Sequence, residues 1–342
     1  FTLSVTGTFL VRSGILNSVH TFANDPTRGI YILIFLCLMI FSSIYLLFTK
    51  YRPTNDQINF NSKETFLLIN NWFMMFYLIT VLLGTLYPIF TDAISNNKIS
   101  VGPPFYNSVI IPIVVVFLIF MAIGPQVKWI KNKFSNFKNL TIMFGGAIIV
   151  NFIIAYLFKS YSIISNLIII SSLFLIFSTF LDFFKKPGIN FPRIISHLSF
   201  GFLILFIGLN HSFSIEKDFN LKLGESKKID SYKFIFEDLK LENNKNYKAV
   251  VGKIKINNLS SNKIRTLSPE IRIYDNPQTL TYEASITTNF FKDYYLTMSN
   301  IDRSDYYNFK FQKKPLMIWI WISVIMLSLG GFLSLIRNAK NN

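Results

Sequence analysis

The stretch Ser162–Leu181, SIISNLIIISSLFLIFSTFL, decides the fold class of this chain. It runs for 20 residues without a charged side chain, which is the length an α-helix needs to cross the hydrocarbon core of a bilayer. Composition agrees, because 51% of the 342 residues are hydrophobic and 37 are phenylalanine. The sequence therefore predicts a polytopic α-helical membrane protein. Together with 162–181, six further apolar runs give seven predicted spans. The six are 30–48, 66–87, 108–126, 139–158, 195–213 and 316–336.

The chain opens at Phe1 inside another apolar run, without an initiator methionine or a signal peptide. We therefore expect an eighth span that is cut short, and a chain that is part of a longer protein. The single cysteine, Cys37, lies inside the first complete span. One cysteine excludes a disulfide or a thiolate metal cluster formed within this chain alone.

Basic residues in the short loops predict the orientation of the spans, because cytoplasmic loops are enriched in lysine and arginine. Outside 214–315 there are 16 such residues, and 12 of them lie in four alternate segments. We expect these four segments to be cytoplasmic: 49–64, 127–138, 182–194 and the tail after Ile336. The net charge of +16 is mostly this topology signal, so no nucleic-acid partner is expected.

Residues 214–315 differ sharply from the rest of the chain and are predicted to lie on the outer side. They carry 18 basic and 13 acidic residues and no long apolar run. Polar and apolar residues alternate with period two, as in Tyr247–Asn257, which predicts half-buried strands. About six or seven short strands are expected, and they fit an all-β small barrel or sandwich inserted before the last transmembrane helix. A domain of this kind at a membrane surface is typical of partner binding.

The stretch Gly7–Gly29, GTFLVRSGILNSVHTFANDPTRG, places His20 at a predicted membrane exit. An imidazole there can ligate haem iron from the outer side, and the flanking Arg12 and Arg28 suit the two propionates of a haem. The alternative is a solvated interfacial histidine with two arginines that anchor the bilayer edge. Both interpretations stay open at this stage.

His197 lies inside a predicted span, about three residues from its cytoplasmic end. An ionisable group within a membrane segment is costly and is by default a functional candidate. The alternative is a hydrogen bond between helices. His211 follows fourteen residues later, about 21 Å along a helix, where an interfacial anchor is expected. His20 and His197 are predicted at opposite faces of the bilayer, so they cannot share one metal.

Several segments together resemble CcmF-type haem lyase subunits of the cytochrome c maturation system. The resemblance implies that this chain corresponds to the C-terminal part of such a subunit. The resemblance follows the order of that family over essentially the whole chain. It is carried by Gly7–Gly29, Asn70-Asn71, Leu83–Pro88, Ile99–Asn107, Ser196–Leu198, Leu267–Glu270 and Lys314–Trp321.

The resemblance implies two haem sites. In that family two outer histidines ligate incoming haem beside a tryptophan-rich segment, and two membrane histidines ligate a resident haem b. His20 matches the second outer histidine and His197 matches the second membrane histidine. The other member of each pair and the tryptophan-rich segment are expected upstream of Phe1, and His211 has no counterpart.

The implied function is covalent attachment of haem to apocytochrome c, through thioethers at a Cys-x-x-Cys-His motif. The implied partners are a holo haem chaperone, apocytochrome c and the thiol-redox subunits that present it. The implied location is the bacterial inner membrane, with the β domain in the periplasm and membrane lipid around the spans. This chain alone is not expected to be competent as a haem lyase.

Four segments follow from this interpretation. We expect a truncated helix with the outer haem-ligand loop at 1–29, a six-helix membrane domain at 30–213, a periplasmic β domain at 214–315, and a last helix with a cytoplasmic tail at 316–342. Two other classes are weighed against it. A transporter with a periplasmic partner-binding domain would show broken helices and an inverted repeat, and no convincing repeat is present. Pro112 and Gly145-Gly146, inside the spans 108–126 and 139–158, keep this alternative open. A lipid-linked glycan enzyme would need outer acidic residues, and the short outer loops offer only Asp25 and Asp92.

Overall fold

A computed structural model of the chain divides it into two compact units. The first comprises Phe1–Ile113 with Val127–Asn132, and the second comprises Val114–Gln126 with Lys133–Asn342. The structure describes residues 1–13, 26–52, 62–95, 99, 101–127, 137–158, 162–185, 190–259, 263–275, 278–301 and 304–341.

The first unit is built from long apolar helices that follow a short one. Helix α1 and helix α2 approach so closely at Gly29 that a Cβ atom there would lie 3.0 Å from the Ser13 Cα atom. Gly29 therefore lets α1 and α2 pack at short distance. Gly84 of α3 instead leaves room for the far end of the Tyr106 side chain, which a Cβ atom there would strike. The elements are α1 Thr2–Arg12, α2 Pro26–Lys50, α3 Lys63–Ser95 and α4 Pro103–Ile123, whose second half belongs to the second unit.

In the second unit, α5 (Phe137–Phe158) and α7 (Phe191–Phe213) pack against α6 (Ile163–Lys185), which contains most of the apolar stretch Ser162–Leu181. Ile169 and Leu175 of α6 are fully buried, while Gly201 and Gly208 of α7 lie directly against α6. A Cβ atom at Gly208 would lie 3.0 Å from the Ile168 side chain. The helices are α5 Phe137–Phe158, α6 Ile163–Lys185, α7 Phe191–Phe213 and α8 Met317–Asn341, and a short 3-10 turn, Gly124–Gln126, follows α4.

The prediction of seven spans is confirmed. In the part of the chain that the structure describes, seven helices are long and apolar enough to cross a membrane. They expose many large apolar side chains, including Phe41, Phe152 and Trp321, as expected where lipid is the solvent. Helix α1 has 11 residues, about 17 Å at 1.5 Å per residue, and begins directly after Phe1.

Residues after α7 form two antiparallel sheets. The four-stranded sheet has the order β1-β10-β9-β8, and the six-stranded sheet has the order β2-β3-β4-β6-β7 with β5 also paired to β4. The strands are β1 Ile215–Leu221, β2 Ser226–Ile229, β3 Tyr232–Asn243, β4 Tyr247–Asn258, β5 Lys263–Leu267, β6 Glu270–Asp275, β7 Gln278–Glu283, β8 Ser285–Thr288, β9 Lys292–Asn300 and β10 Tyr307–Pro315.

Alternation along the strands builds the core between the two sheets. Phe219, Phe234 and Phe311 point inward with Phe236 and Phe309, and these rings contact one another at centroid distances of 4.4 to 5.8 Å. The sandwich alternative of the predicted fold class is thereby confirmed. The ten strands among the described residues exceed the six or seven expected, because β2, β5, β7 and β8 are too short to present a recognisable alternation.

The sandwich is tied to one end of the α7–α8 pair. Strand β1 begins two residues after α7 ends, and the Asn210 side-chain amide donates a hydrogen bond to the Pro315 carbonyl at the end of β10. Leu316 then adopts a left-handed backbone conformation, with φ at +61°, and α8 begins at the next residue. The two connections place the sandwich at the end of α7 that is far from His197.

Candidate functional site

His197 lies in the second turn of α7, and its imidazole is partly buried. The helix begins there because Asn190 accepts a hydrogen bond from the Arg193 backbone N–H and Pro192 occupies the first turn. Gly330 of α8 packs on the neighbouring Ser196, whose backbone nitrogen would lie 3.0 Å from a Cβ atom at Gly330. Close packing on both sides of α7 therefore fixes the helix that carries the imidazole.

A buried ion pair lies one helical turn from His197. Asp182 of α6 is only 4% exposed, and its Oδ2 atom is 3.3 Å from an Arg193 guanidinium nitrogen. The other carboxylate oxygen accepts a hydrogen bond from the Gln126 side-chain amide. We call Gln126, Asp182 and Arg193 the inner polar cluster.

This cluster links three elements at one end of the second unit. Gln126 ends the segment that follows α4, Asp182 lies near the end of α6, and Arg193 lies near the start of α7. Ser178 adds a further link, because its hydroxyl donates to the Ala122 carbonyl at 2.7 Å. The cluster therefore fixes the start of α7, which carries His197, relative to α6 and to the segment that follows α4.

Replacing Asp182 by alanine is expected to destabilise the protein by about 2 kcal/mol, because the partly buried Arg193 guanidinium and the Gln126 amide would both lose their partner. Thermal unfolding of the purified chain measures this. The matched control is Asp305→Ala, which removes the exposed Lys222–Asp305 pair at 3.7 Å and should cost less than about 1 kcal/mol. Equal effects of the two substitutions would contradict a structural role for the cluster.

The His197 side chain fits the requirements of an axial haem ligand. Among the described residues, no group hydrogen-bonds to the imidazole, so its nitrogens are not committed to helix packing there. It stands in an apolar segment, where a neutral imidazole is the cheapest ionisable group. The packing of α7 against α6 and α8 holds it on a rigid element, as a ligand requires.

His211 lies at the opposite end of the same helix and is exposed. Fourteen residues separate the two histidines, about 21 Å along the axis, so they cannot bind one iron atom. No group of three or more histidine, cysteine or carboxylate side chains arranged to hold a metal ion occurs within the described ranges.

His20 lies outside the described residues, and so do its immediate neighbours in the loop. The two ends of that loop are described. Arg12 ends α1 and Arg28 lies in the first turn of α2, and both side chains are exposed. The close approach of Ser13 to Gly29 brings these two helix ends together. Arg12 and Arg28 therefore lie near the two ends of segment 14–25, which contains His20 and is outside the described residues.

Two of the segments quoted for the family resemblance also meet in the first unit. Leu83, Gly84 and Tyr87 of α3 face Val101 and Phe105 at the start of α4 across an apolar groove of about 620 Å³. Sequence reasoning predicted neither this groove nor the inner polar cluster. The sequence did contain a signal for the cluster. Asp182 lies at the end of one span, Arg193 lies at the start of the next, and only a short loop separates the two spans.

The architecture defines the class first: a polytopic α-helical membrane protein with a β-sandwich inserted before its last helix. Comparison with known proteins then narrows the class. Residues 212–315 match the family described as the CcmF C-terminal beta-sandwich. The chain is 30% identical, over an alignment of 351 positions, to cytochrome c-type biogenesis protein CcmF of Pseudomonas aeruginosa. The alignment covers 98% of this chain and 53% of that protein.

Other relatives give the same result. CcmF of Escherichia coli strain K12 is 30% identical, with 98% of this chain and 53% of that protein covered. CcmF of Haemophilus influenzae is 31% identical, with 97% and 54% covered. A solved structure of "Cytochrome c Heme Lyase CcmF" has a TM-score of 0.68 at 18% identity, covering 96% of this chain and 54% of that one; it supports the fold.

The chain is thus similar to CcmF proteins over nearly its whole length, and the resemblance seen in its sequence is confirmed. It spans about half the length of the curated relatives that it matches. These similarities do not favour the transporter expected as the alternative.

Proposed function

We propose that this chain acts in cytochrome c maturation, as part of a membrane haem lyase that handles haem and attaches it covalently to apocytochrome c. The similarity to cytochrome c-type biogenesis proteins over 98% of the chain carries this proposal. The His197 imidazole, held within an apolar helix without a hydrogen-bond partner among the described residues, is the independent structural support. The chain alone is proposed not to be competent.

His197 is proposed as an axial ligand of a resident haem b, and the inner polar cluster as the element that positions it. The iron of such a haem, when bound, supplies one-electron chemistry. This chain would supply one ligand of the pair, on a helix that α6 and α8 hold rigidly. The Arg193 guanidinium is paired with Asp182 in this arrangement.

His20 is proposed as an axial ligand of the haem that is the substrate, with Arg12 and Arg28 binding its propionates. Arginine suits this role because its planar guanidinium binds a carboxylate through two parallel hydrogen bonds. The exposure of both arginines leaves them accessible to such a ligand. The nucleophiles are the two thiols of the client cytochrome, so no residue of this chain has to attack the vinyl groups.

The proposed partners are a holo haem chaperone, apocytochrome c and the subunits that present it, with membrane lipid around the spans. The charge asymmetry of the loops supports an inner membrane location with the β domain in the periplasm. The division into segments 1–29, 30–213, 214–315 and 316–342 follows the same proposal. Absence of haem from the purified complete protein, together with normal cytochrome c in cells that lack it, would contradict the proposed function.

The β domain is expected to fold without the helices and to bind no haem. Its core of phenylalanine rings is internal to residues 214–315, and that stretch contains no histidine or cysteine. Expressed alone, it should give a β-type circular dichroism spectrum and no defined haem ligation. A helical spectrum would contradict the first expectation.

Deleting the same domain from the complete protein should impair partner assembly more than haem b loading, provided that the spans still insert. The reason is that His197 lies at the end of α7 far from the sandwich. Loss of haem b in a correctly inserted deletion variant would contradict this division of roles.

A further inference from the structure

The end of the sandwich that faces the α7–α8 pair carries an unusual concentration of positive charge on its inner side. Lys292 and Lys313 continue the core-facing rows of β9 and β10 beyond Tyr294 and Phe311, since alternate residues of a strand share one face. Arg265 enters from β5 of the other sheet, with its guanidinium 4.3 Å from the Tyr294 ring centroid. We call Arg265, Lys292 and Lys313 the basic rim.

Asp293, the carboxylate next to Lys292, projects from the other face of β9, where its Oδ2 atom accepts a hydrogen bond from the Tyr295 hydroxyl at 3.3 Å. None of the three rim side chains forms an ion pair among the described residues, whereas the nearby Lys217 is paired with Asp230 at 2.9 Å. Burial and the neighbouring Lys292 charge lower the pKa of Lys313, and Tyr294 opposes them in part. Tyr232 lies close to Tyr294, and burial raises the pKa of Tyr232 to about 12. The Tyr232 hydroxyl therefore stays neutral and adds no negative charge beside the rim. A cluster of uncompensated cations at a protein surface favours an anionic ligand.

An exposed aromatic pair stands beside the rim. Phe290 and Phe291 form the turn between β8 and β9, and they are 53% and 66% exposed. The Phe290 ring contacts Trp319 in the first turn of α8 at 4.9 Å, and the Leu316 backbone N–H donates to the Phe291 carbonyl at 2.8 Å. The turn is therefore fixed beside the first turn of α8, where the apolar segment of that helix begins. We call Phe290 and Phe291 the aromatic tip.

Basic and aromatic residues at the border of a membrane span are the combination that binds lipid headgroups, since the rings enter the interface and the cations attract phosphate. We infer that the basic rim and the aromatic tip form a binding site for an anionic phospholipid. The rim holds the headgroup phosphate, and the tip contacts the acyl chains. A bound lipid of this kind fixes the sandwich to the membrane surface beside α7 and α8.

The test uses the full purified chain, freed of lipid in detergent, and native mass spectrometry with added phosphatidylglycerol or phosphatidylcholine. We expect phosphatidylglycerol to bind more tightly than phosphatidylcholine. The double variant K292Q/K313Q should weaken phosphatidylglycerol binding by about thirtyfold, since each cation near a membrane surface contributes roughly a factor of five. K292R/K313R keeps the charge and should keep most of the affinity.

The matched control is K245Q/K248Q, which removes two lysines from the opposite end of the sandwich, at the β3–β4 turn. It should leave phosphatidylglycerol binding unchanged. The variant F290S/F291S should weaken binding of both lipids, because it removes contacts to the chains and not to the headgroup. The melting temperature of each variant confirms that it is folded.

Two results would overturn the inference. One is unchanged phosphatidylglycerol affinity in folded K292Q/K313Q. The other is displacement of phosphatidylglycerol by inorganic phosphate at equal concentration, which would make the rim a site for free anions. Because the readout is lipid binding, its failure is separate from failure of the haem lyase proposal, which is judged by haem spectra and cytochrome c levels.

Discussion

Replacing His197 by alanine in the complete protein is expected to remove the proposed haem b or to leave it with one protein ligand. The imidazole stands in an apolar helix, where no other side chain of α7 within a turn offers an equivalent ligand. The absorption spectrum of the reduced, purified protein measures the change, and we expect the b-type bands to fall to a small fraction of their normal intensity.

The control for this substitution lies on the same helix. His211→Ala removes an exposed imidazole about 21 Å away and should leave the spectrum unchanged. A folded and inserted His197→Ala protein with normal b-type bands would make His197 a packing residue. Asp182→Asn offers a graded comparison: it keeps the shape of the inner polar cluster but weakens it, and should shift or broaden the bands without abolishing them.

Replacing His20 by alanine in the complete protein is expected to reduce cytochrome c assembly to near background while the protein stays inserted in the membrane. The reason is that the substrate haem would lose one axial ligand at the proposed outer site. Haem staining of membrane and periplasmic cytochromes c measures the effect. Added imidazole should restore part of the assembly, because it can enter the vacated ligand position.

His211→Ala again serves as the control, since it removes an imidazole without a proposed role. The haem b bands should be normal in the His20→Ala protein, because His197 is untouched. Normal cytochrome c levels in the His20→Ala strain would refute the assignment of His20 as a ligand. Loss of the b-type bands together with cytochrome c would mean that the substitution damages the membrane domain as a whole.

The predictions from sequence were strongest where one residue pattern dominates. Seven apolar runs predicted seven helices, because a span of that length has no other way to satisfy its backbone in lipid. The alternation around Tyr247–Asn257 predicted β structure, and β4 occupies Tyr247–Asn258. The two-sheet arrangement and the short strands β2, β5, β7 and β8 did not follow, since their pairing depends on residues far away in the chain.

The same distinction between sequence and tertiary structure applies to the candidate site. The sequence by itself determined that His197 lies within a membrane span and that 214–315 offers no histidine or cysteine. Only the tertiary structure brought Gln126 and Asp182 to Arg193 beside that histidine, and Arg265 of one sheet to Lys292 and Lys313 of the other. Hydropathy and alternation are local properties that a short stretch expresses alone. A charge cluster assembled from distant segments depends on packing between elements, which no local pattern records.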